Sequence, residues 1–234
     1  MAKKNKKGNK QGGVLESSEV LQEEFTRFEH YLETHKSLVF VIVGVVLVAI
    51  ISILGYRYYI SQQDELAQKE MFQAVYYFES DSLDLALNGD GNHLGLLDII
   101  DEYGGTDAAN LAEYYAGTAY LLKGNYNTAI EYLGSFSSGD ILIQGRAYSL
   151  TGDAYMELGN YGKAAEFYNK AANYKPNQHF TPQYLMKAAL AYEKLNDYPT
   201  AKEMYDRIVE EFFNSSEFQD AKKQSARMQA LISS

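Results

Sequence analysis

Three stretches of this 234-residue chain repeat one pattern: LAEYYAGTAYLLKGNYNTAIEYL (111–133), RAYSLTGDAYMELGNYGKAAEFY (146–168) and QYLMKAALAYEKLNDYPTAKEMY (183–205). A small residue, Gly117, Gly152 or Ala189, is followed three positions later by Tyr120, Tyr155 or Tyr192. Then come Gly124-Asn125, Gly159-Asn160 or Asn196-Asp197, and next Tyr126, Tyr161 or Tyr198. Ala129, Ala164 or Ala201 follows, and Leu133, Tyr168 or Tyr205 closes the match. The copies are offset by 35 and 37 residues. Such a period constrains the fold more than composition does, because each copy must be one supersecondary unit. The Gly-Asn and Asn-Asp dipeptides divide each copy into two helices. The small residues let those helices approach closely, and the tyrosines fill the space beside them. Pro176 stops the second helix of the middle copy. A lone helix pair cannot bury its own apolar face, so the copies must stack.

This pattern resembles the tetratricopeptide repeat (TPR), whose unit is about 34 residues. A degenerate earlier copy fits the template at Ala74, Tyr77, Asp81, Leu83 and Ala86, with the turn-rich 88–93 segment interrupting its second helix. Ser216 to Ile232, with Phe218, Ala221, Ala226 and Leu231, reads as a capping helix. The expected units are therefore about 67–109, 110–144, 145–181 and 182–215, with a cap at 216–232.

Upstream lies LVFVIVGVVLVAIISILG, residues 38–55, uncharged and flanked by Lys36 and Arg57. Eighteen residues at about 1.5 Å each are enough to cross the hydrocarbon core of a bilayer as one helix. Tyr56, Tyr58, Tyr59 and Ile60 extend the run to 38–60, and the tyrosines with Arg57 suit a membrane–water interface. Gly44, Ser52 and Gly55 give the helix one small, slightly polar side. A buried core helix would show a broader polar edge, and a cleavable signal peptide would end in an A-x-A-like site. The expected fold is all-α: one N-terminal transmembrane helix, then a TPR-like α-solenoid over 61–234 ending in a C-terminal capping helix.

Charge sets the orientation. Lys3, Lys4, Lys6, Lys7, Lys10, Arg27 and Lys36 precede the run, while only Arg57 and Lys69 follow it closely. By the positive-inside rule the N-terminus stays in the cytoplasm. The lysine-rich stretch 1–15 reads as a disordered tail. Residues 16–36 read as an amphipathic helix with Leu21, Phe25, Phe28 and Leu32 on one stripe. Residues 58–234 carry 13 Lys/Arg against 25 Asp/Glu, which argues against non-specific nucleic-acid binding by that part.

No catalytic constellation is visible. His30, His35, His93 and His179 are scattered, cysteine is absent, and no glycine loop precedes a lysine and hydroxyl to cradle phosphate. Asn88, Asp90 and Asn92 alternate like the start of a calcium loop, but His93 and Ile99 stand where that loop needs glycine and glutamate. We therefore expect no cofactor, no metal, no enzyme activity and no small-molecule substrate. What remains is a protein-binding groove lined by the first helix of each pair. Counting along the repeats assigns to it Met71, Val75 and Phe78; Leu111, Tyr114, Thr118 and Leu121; Arg146, Ser149, Asp153 and Met156; and Met186 and Leu190. Gln68, Gln183 and Glu193 fall at equivalent positions.

The whole order resembles the YfgM family of ancillary subunits of the bacterial Sec translocon. Three features carry the resemblance. One is the sequence of short leader helix, single span and repeats. The second is the junction from Arg27-Phe28-Glu29 through Thr34-His35-Lys36, and the third is Gly55-Tyr56-Arg57-Tyr58-Tyr59 at the exit of the span. The lysine tail and the interrupted first repeat depart from the family pattern. The resemblance implies an inner-membrane, single-pass protein with a periplasmic repeat domain. It also implies association with the SecYEG channel and with a membrane-anchored periplasmic chaperone of the PpiD type, in contact with membrane lipid and newly translocated chains. Two other classes fit the residues: a scaffold for another cell-envelope complex, and a regulator acting through the cytoplasmic segment.

Overall fold

The computed structural model describes residues 34–233. The tail expected over 1–15 and nearly all of the leader helix expected over 16–36 lie outside them. The described residues form ten α-helices and no strand: α1 (Lys36–Glu79), α2 (Leu83–Asn88), α3 (Leu96–Glu102), α4 (Asp107–Leu122), α5 (Tyr126–Ser135), α6 (Ile141–Glu157), α7 (Tyr161–Asn173), α8 (Thr181–Lys194), α9 (Tyr198–Glu211) and α10 (Phe218–Ile232). They divide into two units, one ending at Tyr59 and the other beginning at Ile60.

In the first unit every side chain from Phe40 to Tyr59 is exposed. Burial of a Val, Leu or Ile side chain is worth roughly 1.5–3 kcal/mol, so a helix surface made of such residues is unfavourable in water. Helix α1 is long and apolar enough to cross a membrane, where lipid would satisfy such a surface.

The second unit is built on one turn used four times. Gly124, Gly159, Asn196 and Asp81 take left-handed φ values of 78°, 71°, 59° and 58°. At each, two backbone bonds close the preceding helix. Gly124 N–H donates to Leu121 O (3.0 Å), and Asn125 N–H to Tyr120 O (2.8 Å). The same pair recurs from Gly159 and Asn160 to Met156 and Tyr155, from Asn196 and Asp197 to Glu193 and Tyr192, and from Asp81 and Ser82 to Phe78 and Tyr77. This is Schellman closure, which satisfies carbonyls a helix end would otherwise leave orphaned. Glycine takes the left-handed position freely, and Asn and Asp tolerate it best among the other residues. The degenerate first copy therefore carries the same hinge as the other three.

The small positions are tight for a visible reason. A Cβ on Gly152 would sit 2.6 Å from the Tyr168 ring, and one on Gly117 would sit 2.7 Å from the Leu133 side chain. In the third pair Ala189 and Tyr205 share one buried cluster. The core is passed from pair to pair. Met71, Ala74, Ala86, Leu87, Leu96 and Ile99 pack with Ala112, Ala116 and Ala119 of α4. Leu133 and Phe136 then meet Ala147 of α6, and Ala164, Ala165 and Tyr168 meet Ala188 and Ala191 of α8. At the far end Ala221 and Met228 of α10 cover Tyr205, Ile208 and Phe212.

Side chains cap the starts of α4, α6, α7 and α9. The Thr106 hydroxyl accepts from Ala109 N–H (3.0 Å), and the Asp140 carboxylate accepts from Leu142 and Ile143 N–H (2.7 and 3.1 Å). Asp64 of α1 reaches across the fold and accepts from Ala108 N–H at the start of α4 (2.9 Å). The 88–93 segment splits the second helix of the first pair into α2 and α3. Its Asp90 accepts from the Tyr77 hydroxyl and from the Asn92 and His93 N–H groups, each at 2.8 Å. Those bonds, the Tyr77 hydroxyl first among them, hold the Asp90 carboxyl well below the usual carboxylate range.

Candidate protein-binding groove

The first helices of three successive pairs, α4, α6 and α8, line a groove of about 600 Å³. On α6 the lining residues Leu142, Arg146, Ser149, Leu150 and Asp153 fall four, three and one residues apart, then three again, so they share one helical face. Leu111, Tyr114 and Tyr115 of α4 form one wall, and Phe180, Gln183, Tyr184 and Lys187 the other.

The groove has two chemically different ends. Leu111, Leu142, Ile143 and Phe180 make one end apolar. At the other, Lys187 donates to both Asp153 oxygens (2.9 and 2.8 Å) and to the Ser149 hydroxyl (3.2 Å). Asp153 also accepts from the Tyr168 hydroxyl at 2.6 Å, and the Lys187 ammonium lies 5.6 Å from the Tyr168 ring centre. Burial, reinforced by Asp153, pushes the Tyr168 hydroxyl far up in pKa, which keeps it a proton donor. The Asp153–Lys187 charges are thus satisfied within the chain.

Arg146 is different. It is exposed on the middle helix and makes no hydrogen bond or ion pair among the described residues. Burial raises the pKa of both Tyr114 and Tyr184, and the Arg146 guanidinium opposes that rise in each. The cation therefore acts on both tyrosines. Tyr184 is only 8% exposed, and its hydroxyl makes no hydrogen bond among the described residues.

Of the residues assigned by repeat counting, the groove brings together Leu111, Tyr114, Arg146, Ser149 and Asp153, with Gln183 beside them. Ser149 is buried and turns its hydroxyl to Lys187. Met71 and Thr118 are core residues instead of groove residues, and the Thr118 hydroxyl donates to Tyr114 O (2.8 Å). Val75 and Phe78 pack into the first core cluster. Met156 packs on the cluster between α7 and α8, and Met186 on the last one. Leu121 is half-buried, Leu190 is exposed, and neither lines this groove. Glu193 accepts instead from the Tyr205 hydroxyl (2.7 Å) and from Arg227. Spacing identifies the face of a helix, but the depth of a side chain is set by the neighbouring helix.

Tyr115, Leu150 and Lys187 escaped the count because each stands one residue beyond a counted position. The sequence signal for them was the same stripe displaced by one residue. Phe180 enters from the cap of α8, where no helical count reaches.

In the apolar unit, Tyr56, Arg57, Tyr58 and Tyr59 are all exposed. A Cβ added at Gly44 or Gly55 would meet nothing within 4 Å. Ser52 donates to Val48 O (2.8 Å), so its hydroxyl is satisfied within its own helix.

Residues 145–178 and 183–215 each match a tetratricopeptide repeat model. The chain is similar to two crystal structures of a putative kinesin light chain with nearly identical TPR-like repeats from Podosopora anserina. The TM-scores are 0.53 and 0.54 at 14% identity, covering 71% of this chain and 85% and 86% of those chains. Likeness at that identity concerns the fold alone. No curated protein matches the sequence. The fold is an all-α, TPR-like solenoid, and two of its units match the tetratricopeptide repeat model.

Proposed function

We propose that this chain is a membrane-anchored scaffold serving as an ancillary, non-enzymatic subunit of the bacterial Sec translocon. Its apolar helix spans the inner membrane with the N-terminus in the cytoplasm and the repeats in the periplasm. The repeat groove holds a segment of a PpiD-type chaperone or of a newly translocated chain. The observation that carries this reading is an open groove with an unpaired arginine, on repeats that follow a helix able to cross a membrane. The run Gly55-Tyr56-Arg57-Tyr58-Tyr59 supports the family assignment. The mechanism is passive: no bond is made or broken, and the solenoid raises the local concentration of a partner beside the channel.

Purification of the full chain in mild detergent, with mass spectrometry of what accompanies it, tests the proposal. SecYEG and a membrane-anchored chaperone are expected. A Leu142→Ala/Arg146→Ala double variant should lose the chaperone and keep the channel, because both side chains line the groove and are exposed. Recovery of neither partner overturns the assignment. Recovery of division or wall-synthesis proteins instead identifies a scaffold for another envelope complex.

A further inference from the structure

We infer that the middle of the groove is a carboxylate seat, in which Arg146 and the Tyr184 hydroxyl receive an internal aspartate or glutamate side chain of an extended, partly apolar segment. The inference rests on the reading of the groove as a protein-binding surface and specifies what that surface selects.

Arg146 is a cation without a partner in a part of the chain that holds 25 Asp/Glu against 13 Lys/Arg. The other groove cation, Lys187, is already occupied by Asp153 at 2.8 Å. Beside Arg146 stands Tyr184, whose ring is largely buried in the wall while its hydroxyl opens into the groove with no partner among the described residues, free to donate. A guanidinium and a hydroxyl both donate, so the ligand they share is an acceptor that carries negative charge.

Position selects the source of that carboxylate. Arg146 lies on the middle helix, with groove walls continuing on α4 and α8. An internal side chain lets the peptide continue over both walls, whereas a chain terminus would leave one wall empty. Leu111, Leu142 and Ile143 at the apolar end favour an aliphatic or aromatic residue near the acid.

The test uses the full chain in detergent micelles and two pools of dodecapeptides with both ends blocked, identical except for glutamate or glutamine at the sixth position. A third pool carries glutamine there and a free C-terminal carboxylate. Fluorescence anisotropy should show the glutamate pool bound about tenfold tighter than the glutamine pool. Arg146→Gln should abolish that preference, so that the glutamate pool binds no tighter than the glutamine pool, and Tyr184→Phe should reduce the preference with an unaltered melting temperature. Equal binding of the two blocked pools by the wild type overturns the seat, as does a preference that survives Arg146→Gln. A gain confined to the third pool overturns the internal-acid assignment in favour of a chain terminus. Failure of all three pools to bind overturns the groove reading itself, which separates the two claims.

Discussion

Three glycines within eleven positions of each other carry three different constraints. Gly152 has no room: a Cβ there would meet the Tyr168 ring at 2.6 Å, and that ring is buried and bonded to Asp153. Gly159 has open space around it but sits at φ 71°. Gly162 has neither restriction and lies within α7. Alanine at these sites should therefore give three outcomes in thermal unfolding of the full chain in detergent. Gly152→Ala should cost about 1–3 kcal/mol by overpacking. Gly159→Ala should cost about 1 kcal/mol through the left-handed backbone alone. Gly162→Ala should gain about 0.5 kcal/mol from helix propensity. Equal effects at Gly152 and Gly162 would show that the Tyr168 ring moves aside freely. The tight positions were legible from the sequence, because Gly117, Gly152 and Ala189 align across copies. What each one packs against was not, since that partner sits 16 residues away on the second helix of the pair.

At the level of elements, the repeated turn was the most legible feature and the groove the least. A turn is local: one left-handed residue and two backbone bonds define it, so Asp81 and Ser82 could be matched to Gly124 and Asn125 despite different residue types. A groove depends on how far three helices lie apart, so Met71 and Thr118 were counted into it while Lys187 and Leu150 were missed. The caps give the test at this scale. Thr106 is 3% exposed and caps α4 with a neutral hydroxyl, so Thr106→Ala should cost about 1 kcal/mol at every pH. Asp140 caps α6 as a carboxylate. The Ile143 and Leu142 N–H groups hold its pKa below the ordinary value of 3.8. A group with a depressed folded pKa stabilises fully above its unfolded pKa and loses that contribution as pH falls through the folded one. Asp140→Ala should accordingly lower the melting temperature by a constant amount from neutral pH down to about pH 5, and the difference from wild type should shrink below pH 4. A difference that persists undiminished at pH 2.5 would mean that Asp140 acts by packing instead of by its charge.

At the scale of the whole chain, the two units differ in how they treat apolar surface. The repeats bury their apolar residues against one another, with α10 covering the last pair, whereas among the described residues nothing covers the helix surface from Phe40 to Tyr59. Lipid surroundings would be enough for the valines and isoleucines of that surface. Gly44 and Gly55 are a separate matter. They lie about 20° apart around an ideal helix, with Ser52 about 60° further on, and a Cβ at either glycine would meet nothing. Membrane helices associate through such small faces because backbones can approach closely there. If the span only anchors, its residue identities are free; if it also docks against the channel, this face is required. Replacing residues 38–55 with eighteen leucines, while keeping Lys36, Arg57 and the tyrosines, separates the two roles. Topology, read by protease protection of the repeats, should be unchanged, because the flanking charges set it. Recovery of SecYEG in mild detergent should fall several-fold, and restoring Gly44, Ser52 and Gly55 alone within the leucine helix should bring it back. Undiminished recovery with eighteen leucines would assign docking to the leader or to the repeats and leave the span as an anchor.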